Sequence, residues 1–186
     1  QVTCLCYEDQ LGQKEYNGVT VYKIHRGLLH RINYGLENVE FRGKTFVKKM
    51  LDLFLKIRNI PFLLIWPWND PLFTRRVYKK ARELQRQKNY DYVIAVHMPL
   101  SSLIVGHKLK EEFPGIKYIP YFLDSLSGGH PVKFMPKEWN LKTKLRWERK
   151  LLSNADKIVF LESSRKHHEK HNCDSEFYSK IVYLDI

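Results

Sequence analysis

Short apolar segments alternate with longer amphipathic segments along the second half of this sequence. The strand-like segments are Tyr92–Val96, Lys117–Leu123, Lys157–Leu161 and residues 181–184. Well over ten residues separate each segment from the next, which is too many for hairpins and typical of right-handed crossovers between parallel strands. Because Tyr92–Val96 is apolar at every position, it predicts a central strand that is covered on both faces.

Helical periodicity occupies most of the sequence between these strands. The predicted helices are Phe41–Arg58, Leu72 to about Lys88, Ser101 or Ser102 to Phe113, Glu138–Ser153 and Ser163–His171. Val2–Tyr7 and Val19–Ile24 are further predicted strands, with turn residues at Tyr16-Asn17-Gly18 between them. The predicted class is α/β, a Rossmann-like and mostly parallel sheet with helices on both faces, and residues 1–186 are expected to form a single domain.

Several catalytic and cofactor motifs are missing from the sequence. It contains no Gly-x-Gly-x-x-Gly, no Gly-x-x-x-x-Gly-Lys-Ser/Thr and no Gly-x-Ser-x-Gly, which argues against a free-standing dinucleotide enzyme, a P-loop enzyme and an α/β-hydrolase. The three cysteines, at positions 4, 6 and 173, form no Cys-x-x-Cys pair. They therefore indicate a reducing compartment and neither a disulfide framework nor a zinc site. We expect a cytoplasmic protein.

The positive charge is concentrated in the first half of the chain. The net charge is +12, and residues 1–90 contribute +9 of it, with 17 Lys/Arg against 8 Asp/Glu. The region Arg42–Lys88 also carries apolar and aromatic side chains, a combination that suits an anionic membrane surface. The predicted membrane-interface residues are Lys48, Lys49, Trp66, Trp68, Arg75, Arg76, Lys79 and Lys80. Two alternatives stay open: a solvated basic face, and packing of the apolar stripe against the sheet.

The predicted functional site lies where the parallel strands end. Ligands of open α/β sheets bind outside the carboxyl ends of the strands, near helix N-termini. Asp124 and His97, each following a predicted strand, are the candidate catalytic residues, because a carboxylate and an imidazole can orient a hydroxyl group or exchange its proton. The candidate acceptor-binding residues are Ser101, Ser102, Ser125, Ser127, Gly128 and Gly129. A loop-bracing role for Asp124, a structural role for His97 and helix capping by Ser101 or Ser102 are the alternatives.

A histidine-rich segment gives no convincing metal site. His167 and His171 are four residues apart and would share a helical face, but the spacing differs from His-Glu-x-x-His and no third ligand is apparent. We predict no metal.

The ordered segments 90–125, 144–171 and 180–186 resemble the N-terminal domain of a GT-B glycosyltransferase of the retaining, GT4-like (group 1) kind. Residues 1–40 resemble its second and third strands more loosely. The matching positions are Asp91, His97, Asp124, Glu148, Ala155-Asp156-Lys157-Ile158 and Ser163-Ser164. The chain departs from the family pattern in two ways: the first strand and its glycine-bearing loop are not found, and the fifth strand ends in Leu-Asp where many relatives have His-Asp.

The resemblance implies transfer of a sugar from a nucleotide-sugar donor to a glycan or lipid-linked acceptor, in bacterial cell-surface or capsular polysaccharide assembly. The donor is then a substrate and no cofactor is needed. A C-terminal GT-B domain of the same protein would bind the donor, so this part alone is expected to be inactive, in the cytoplasm or peripheral on the inner face of the membrane. The alternatives are a basic nucleic-acid-binding α/β module, although we expect no nucleic-acid partner, and a non-catalytic α/β interaction domain.

Overall fold

A computed structural model describes residues 2–7, 12–24, 43–64, 71–97, 99–124, 126, 136–166, 169 and 175–185. The chain divides into two compact units, Gln1–Val77 and Tyr78–Ile186. The expectation of a single domain stays a prediction.

The first unit contains a three-stranded sheet in the order β1-β3-β2. The strands are β1 (Val2–Tyr7), β2 (Gly12–Tyr16) and β3 (Val19–Ile24). β1 pairs with β3 in parallel, whereas β2 and β3 form an antiparallel hairpin. Asn17 and Gly18 turn the hairpin with φ angles of +48° and +78°, a conformation that asparagine and glycine tolerate best. The predicted strands and turn are confirmed, and β2 is an element that the sequence analysis missed.

Two helices follow, α1 (Lys44–Leu64) and α2 (Pro71–Lys88). α2 begins at Pro71, one residue before the predicted start at Leu72, and the N–H that proline lacks is not needed in the first helical turn. It buries Phe73, Val77, Ala81 and Leu84 along one face. α1 extends six residues past the predicted end at Arg58, through Pro61 to Leu64.

The second unit carries a four-stranded parallel sheet in the order β4-β5-β6-β7. Its elements are β4 (Tyr92–Val96), α3 (Leu100–Glu112), β5 (Lys117–Phe122), α4 (Lys137–Leu152), β6 (Ile158–Leu161), the 3₁₀ helices Glu162–Ser164 and Ser175–Lys180, and β7 (Ile181–Leu184). Helical segments connect the parallel strands. The predicted α/β class and mostly parallel sheet are confirmed. The predicted helix Ser163–His171 falls partly outside the described residues.

The core of this unit lies between the sheet and helices α3 and α4. Tyr118 and Phe122 of β5, Phe160 of β6 and Leu103 of α3 are fully buried there. Phe122 and Phe160 pack with their ring centroids 4.7 Å apart. The Tyr118 hydroxyl donates a hydrogen bond to the Leu103 carbonyl at 3.2 Å, and burial raises the pKa of this phenol.

Gly106 allows α3 to approach the sheet closely. A Cβ at this position would lie 2.4 Å from Tyr118 Cε2 and 2.9 Å from the Ala95 Cβ. Only a residue without a side chain therefore fits this crossing of α3 over β4 and β5.

Asp156 joins β5 to the start of β6 at the amino end of the sheet. Its Oδ2 accepts a hydrogen bond from the Tyr118 N–H at 2.8 Å, and its own N–H donates to the Tyr118 carbonyl at 2.9 Å. Lys110 and Lys117 lie 2.9 Å and 3.3 Å from the carboxylate. Burial, the largest influence, raises the pKa of Asp156, but the hydrogen bonds from Lys110, the Tyr118 amide and Lys117 outweigh it and hold the pKa below its usual value. Asp156 therefore has a structural role.

β4 differs from the prediction of a central strand. It is an outer strand of the four-stranded sheet. Ala95 is buried against α3, but Tyr92 and Ile94 are each 64% exposed, and Val96 is also exposed. An apolar sequence is compatible with a strand that is covered on both faces, but it does not establish that both faces are covered. The prediction was wrong for the described sheet.

Candidate functional site

The carboxyl ends of the parallel strands bring the predicted catalytic residues together. β4, β5 and β6 run in the same direction, so the residues that follow them lie at one edge of the sheet. His97 follows β4 directly, Asp124 comes two residues after β5, and Glu162 follows β6. We call this region the carboxyl edge.

His97 links the ends of β4 and β5. Its backbone N–H donates to the Tyr121 carbonyl at 2.7 Å, and its ring Nδ1 lies 3.1 Å from the Asp124 backbone carbonyl. The ring also packs against Phe122, with 5.5 Å between the ring centroids. The structural role that the sequence left open for His97 is therefore present.

The same contacts define the chemical state of the His97 imidazole. A carbonyl oxygen can only accept a hydrogen bond, so Nδ1 carries the proton. Burial lowers the pKa of His97, and the Asp124 carbonyl and carboxylate oppose this effect only in part. The ring is therefore neutral at pH 7, with Nε2 as a hydrogen-bond and proton acceptor.

Asp124 presents an exposed carboxylate at the carboxyl edge. Its backbone carbonyl, rather than its side chain, accepts the bracing hydrogen bond from His97. A carboxylate in this position can accept a hydrogen bond from a ligand hydroxyl without giving up its link to β4.

Ser101 and Ser102 lie inside the first turn of α3 and do not cap it. The helix begins at Leu100 with Pro99 at the N-cap and no side-chain cap hydrogen bond, so the predicted serine cap was wrong. Ser102 Oγ is 2.7 Å from the Pro99 carbonyl and also contacts the Val96 carbonyl. Its hydroxyl ties the first turn of α3 to the end of β4. A role for either serine in acceptor binding stays a prediction.

Two buried polar residues lie on α4, Glu148, which the resemblance singled out, and Lys144, which the sequence did not mark as functional. Glu148 of α4 is fully buried, and its Oε1 accepts a hydrogen bond from the Leu126 N–H at 3.1 Å. Lys144, one helical turn earlier, is also buried. Burial lowers the pKa of Lys144, and the Glu148 carboxylate opposes that shift. The Lys-x-x-x-Glu spacing was visible in the sequence, but the same spacing forms ordinary pairs on exposed helix surfaces.

An ion pair stands on the far side of the carboxyl edge. Arg165 contacts Glu162 through both Nε and Nη2, at 2.5 Å and 2.9 Å. The guanidinium also lies 4.1 Å above the centre of the Tyr183 ring. The edge therefore carries an exposed ion pair after β6 as well as the exposed carboxylate after β5.

Several predicted site residues lie outside the described residues. They are Trp66, Trp68, Ser125, Ser127, Gly128 and Gly129, together with His167 and His171 of the rejected metal motif. Among the residues that are described, no group of three or more His, Cys, Asp and Glu side chains could hold a metal ion.

The predicted membrane-interface cations lie on two helices. Lys49 of α1 and Arg75 and Lys79 of α2 are exposed. Lys48 of α1 and Arg76 and Lys80 of α2 are partly buried, and Lys80 pairs with Glu83 at 2.8 Å. None of the helices in the described ranges is both long and apolar enough to cross a bilayer.

Comparison with protein-family models, curated proteins and solved structures finds no match to this chain.

Proposed function

We propose that this chain is the acceptor-binding domain of a retaining glycosyltransferase, which moves a sugar from a nucleotide-sugar donor to a polysaccharide or lipid-linked acceptor. The observation that carries the proposal is the hydrogen bond between the His97 imidazole and the Asp124 backbone carbonyl. It holds a neutral imidazole and an exposed carboxylate at the edge of a parallel sheet where ligands of such sheets bind.

The architecture supports the same proposal. The parallel order β4-β5-β6-β7 with connecting helices suits one half of a GT-B fold. Glu148, which matches the glutamate of the family pattern, contacts the backbone of the loop after β5 at Leu126. This contact fixes the backbone of Leu126, which follows the acceptor-binding candidate Ser125 in the sequence.

In the proposed mechanism the acceptor hydroxyl donates a hydrogen bond to the Asp124 carboxylate or to His97 Nε2, which orients its oxygen toward the donor. That oxygen forms a bond to the anomeric carbon on the face from which the diphosphate departs, and the bond from that carbon to the diphosphate breaks, so the configuration is retained. The nucleoside diphosphate leaves with the bonding electrons, and the hydroxyl proton passes to the Asp124 carboxylate or to His97 Nε2. Basic groups and helix N-termini of a C-terminal GT-B domain would stabilise the leaving diphosphate.

The test is a screen of the full-length protein against a panel of nucleotide sugars, with release of nucleoside diphosphate as the readout. We expect one donor to be turned over and Asp124→Asn to lower the rate by about tenfold or more. Asp91→Asn is the matched control, because Asp91 is an exposed aspartate at the opposite, amino end of β4. Failure with every donor by a folded protein would overturn the proposal.

A further inference from the structure

Helix α1 exposes its apolar side chains. Phe46, Val47, Met50, Leu53, Phe54 and Ile57 are each between 39% and 69% exposed. Scattered exposed apolar residues are ordinary, but six large ones on a single helix form a continuous patch.

These six side chains share one side of the helix. At about 100° per residue they fall within an arc of about 120°. Lys49 is exposed beside this arc, whereas Lys48 and Asp52, on the other side of the helix, are partly buried. A helix that packs on its own protein core shows the reverse arrangement, with its apolar arc buried and its charges in solvent.

The charge of α1 is complementary to an anionic surface. The sequence Lys44–Leu64 contains five Lys and Arg and one acidic residue, Asp52, so its net charge is +5 − 1 = +4. Its 21 residues make a rod about 31 Å long. A rod with this charge and one apolar arc suits the interface plane of a bilayer, where the arc enters the acyl boundary and Lys49, exposed beside it, meets the headgroups.

We propose that α1 is a docking surface for an anionic phospholipid membrane, with Phe46 and Phe54 inserted and Lys49 at the headgroups. A nucleic acid would use the cations but has no use for an apolar arc of this width. A protein partner would bury the arc but does not require the positive charge. The proposal goes beyond the proposed function and does not rest on it, because its test needs no sugar donor.

The first experiment measures sedimentation with vesicles of phosphatidylcholine that contain phosphatidylglycerol, against pure phosphatidylcholine vesicles. We expect binding to the anionic vesicles that weakens as salt is raised. The double variant Phe46→Ser/Phe54→Ser should lower the partition coefficient by about tenfold or more. Lys49→Glu should lower it by about tenfold on anionic vesicles.

Matched controls come from β2. Tyr16→Ser removes an aromatic side chain that is also well exposed, and Lys14→Glu reverses an exposed lysine. Both should leave vesicle binding within about twofold of the unaltered protein. Far-UV circular dichroism of every variant separates loss of binding from loss of folding.

Met50 reports directly on the apolar arc, because it lies within it and is exposed. Hydrogen peroxide should oxidise Met50 in the lipid-free protein, and anionic vesicles should slow that oxidation, as followed by mass spectrometry. Protection of Met50 without lipid would show that protein covers the arc and would overturn the proposal. Vesicle binding that survives the double variant, or oligonucleotide binding that falls with Lys49→Glu but not with the double variant, would also overturn it.

Discussion

Gly106→Ala tests how closely α3 packs on the sheet. The new Cβ would lie 2.4 Å from Tyr118 Cε2 and 2.9 Å from the Ala95 Cβ, well inside normal carbon–carbon contact. The Tyr118 ring cannot easily retreat, because it is fully buried and its hydroxyl is bonded to the Leu103 carbonyl. Alanine gains about 1 kcal/mol over glycine as a helix former, whereas overpacking a dense core costs about 1–3 kcal/mol and more when backbone must move. Contacts this short place Gly106→Ala at the upper end of that range, about 3 kcal/mol, so we expect a net loss of about 2 kcal/mol in the free energy of unfolding.

The assay is urea denaturation followed by circular dichroism, with Gly115→Ala as the matched control. Nothing lies within 4 Å of a Cβ at Gly115, so that variant should change stability by less than about 0.5 kcal/mol. Tyr118→Leu removes the ring atom that the new Cβ would meet. The double variant Gly106→Ala/Tyr118→Leu should therefore lose less unfolding free energy than the sum of the losses in the two single variants. A Gly106→Ala protein as stable as the unaltered one would refute the packing argument.

Three further predictions concern the buried polar groups of the second unit. Asp156→Asn should lower the free energy of unfolding by about 1–3 kcal/mol at pH 7. Because folding lowers the pKa of Asp156, the stability that this carboxylate contributes is present above pH about 4 and lost as the pH falls through the folded pKa. Urea denaturation at a series of pH values should show this loss, and an equal cost of the substitution at low pH would contradict the prediction. The pKa of His97 should lie below 6.5, so the protein should lose stability as the pH falls from about 6.5 to the folded pKa. In ¹⁵N NMR spectra the neutral ring should carry its proton on Nδ1, and a proton on Nε2 instead would be inconsistent with the structure. Glu148→Ala should cost about 1–3 kcal/mol in urea denaturation, since it leaves the Leu126 N–H without its acceptor, and Glu148→Gln should cost less because its amide oxygen still accepts that N–H; equal losses in the two variants would argue against the Glu148–Leu126 contact.

The sequence was most informative where burial produces a repeating pattern. Tyr92–Val96 is a strand at the predicted residues, and β5, β6, α2 and α4 begin and end within one or two residues of the prediction. β2 carried no such signal, because all five of its residues are exposed and only backbone pairing with β3 defines it as a strand. The start of α3 was misplaced because serines favour the N-cap position, whereas here Ser102 bonds to the end of β4 from within the helix.

Which face of an element is covered could not be predicted from the sequence. The apolar strand β4 suggested burial, yet Ile94 is exposed. For the apolar stripe of α1 the sequence left both a membrane interface and packing against the sheet open, and Phe46 is exposed. At the candidate site, the sequence located His97 and Asp124 at the ends of neighbouring strands. It could not show that His97 bonds to the backbone carbonyl of Asp124, because every residue has a backbone carbonyl and the residue type does not indicate which one accepts a hydrogen bond.

The most direct test of the central claim is an NMR titration of the ¹⁵N-labelled protein with oligosaccharides of bacterial surface polysaccharides. The proposed function predicts shifts concentrated at the amides of His97, Asp124 and Leu126, and a Kd raised by about tenfold or more in Asp124→Asn but changed by less than about twofold in Asp91→Asn. Shifts that avoid the carboxyl edge, or equal loss of binding in both variants, would contradict it.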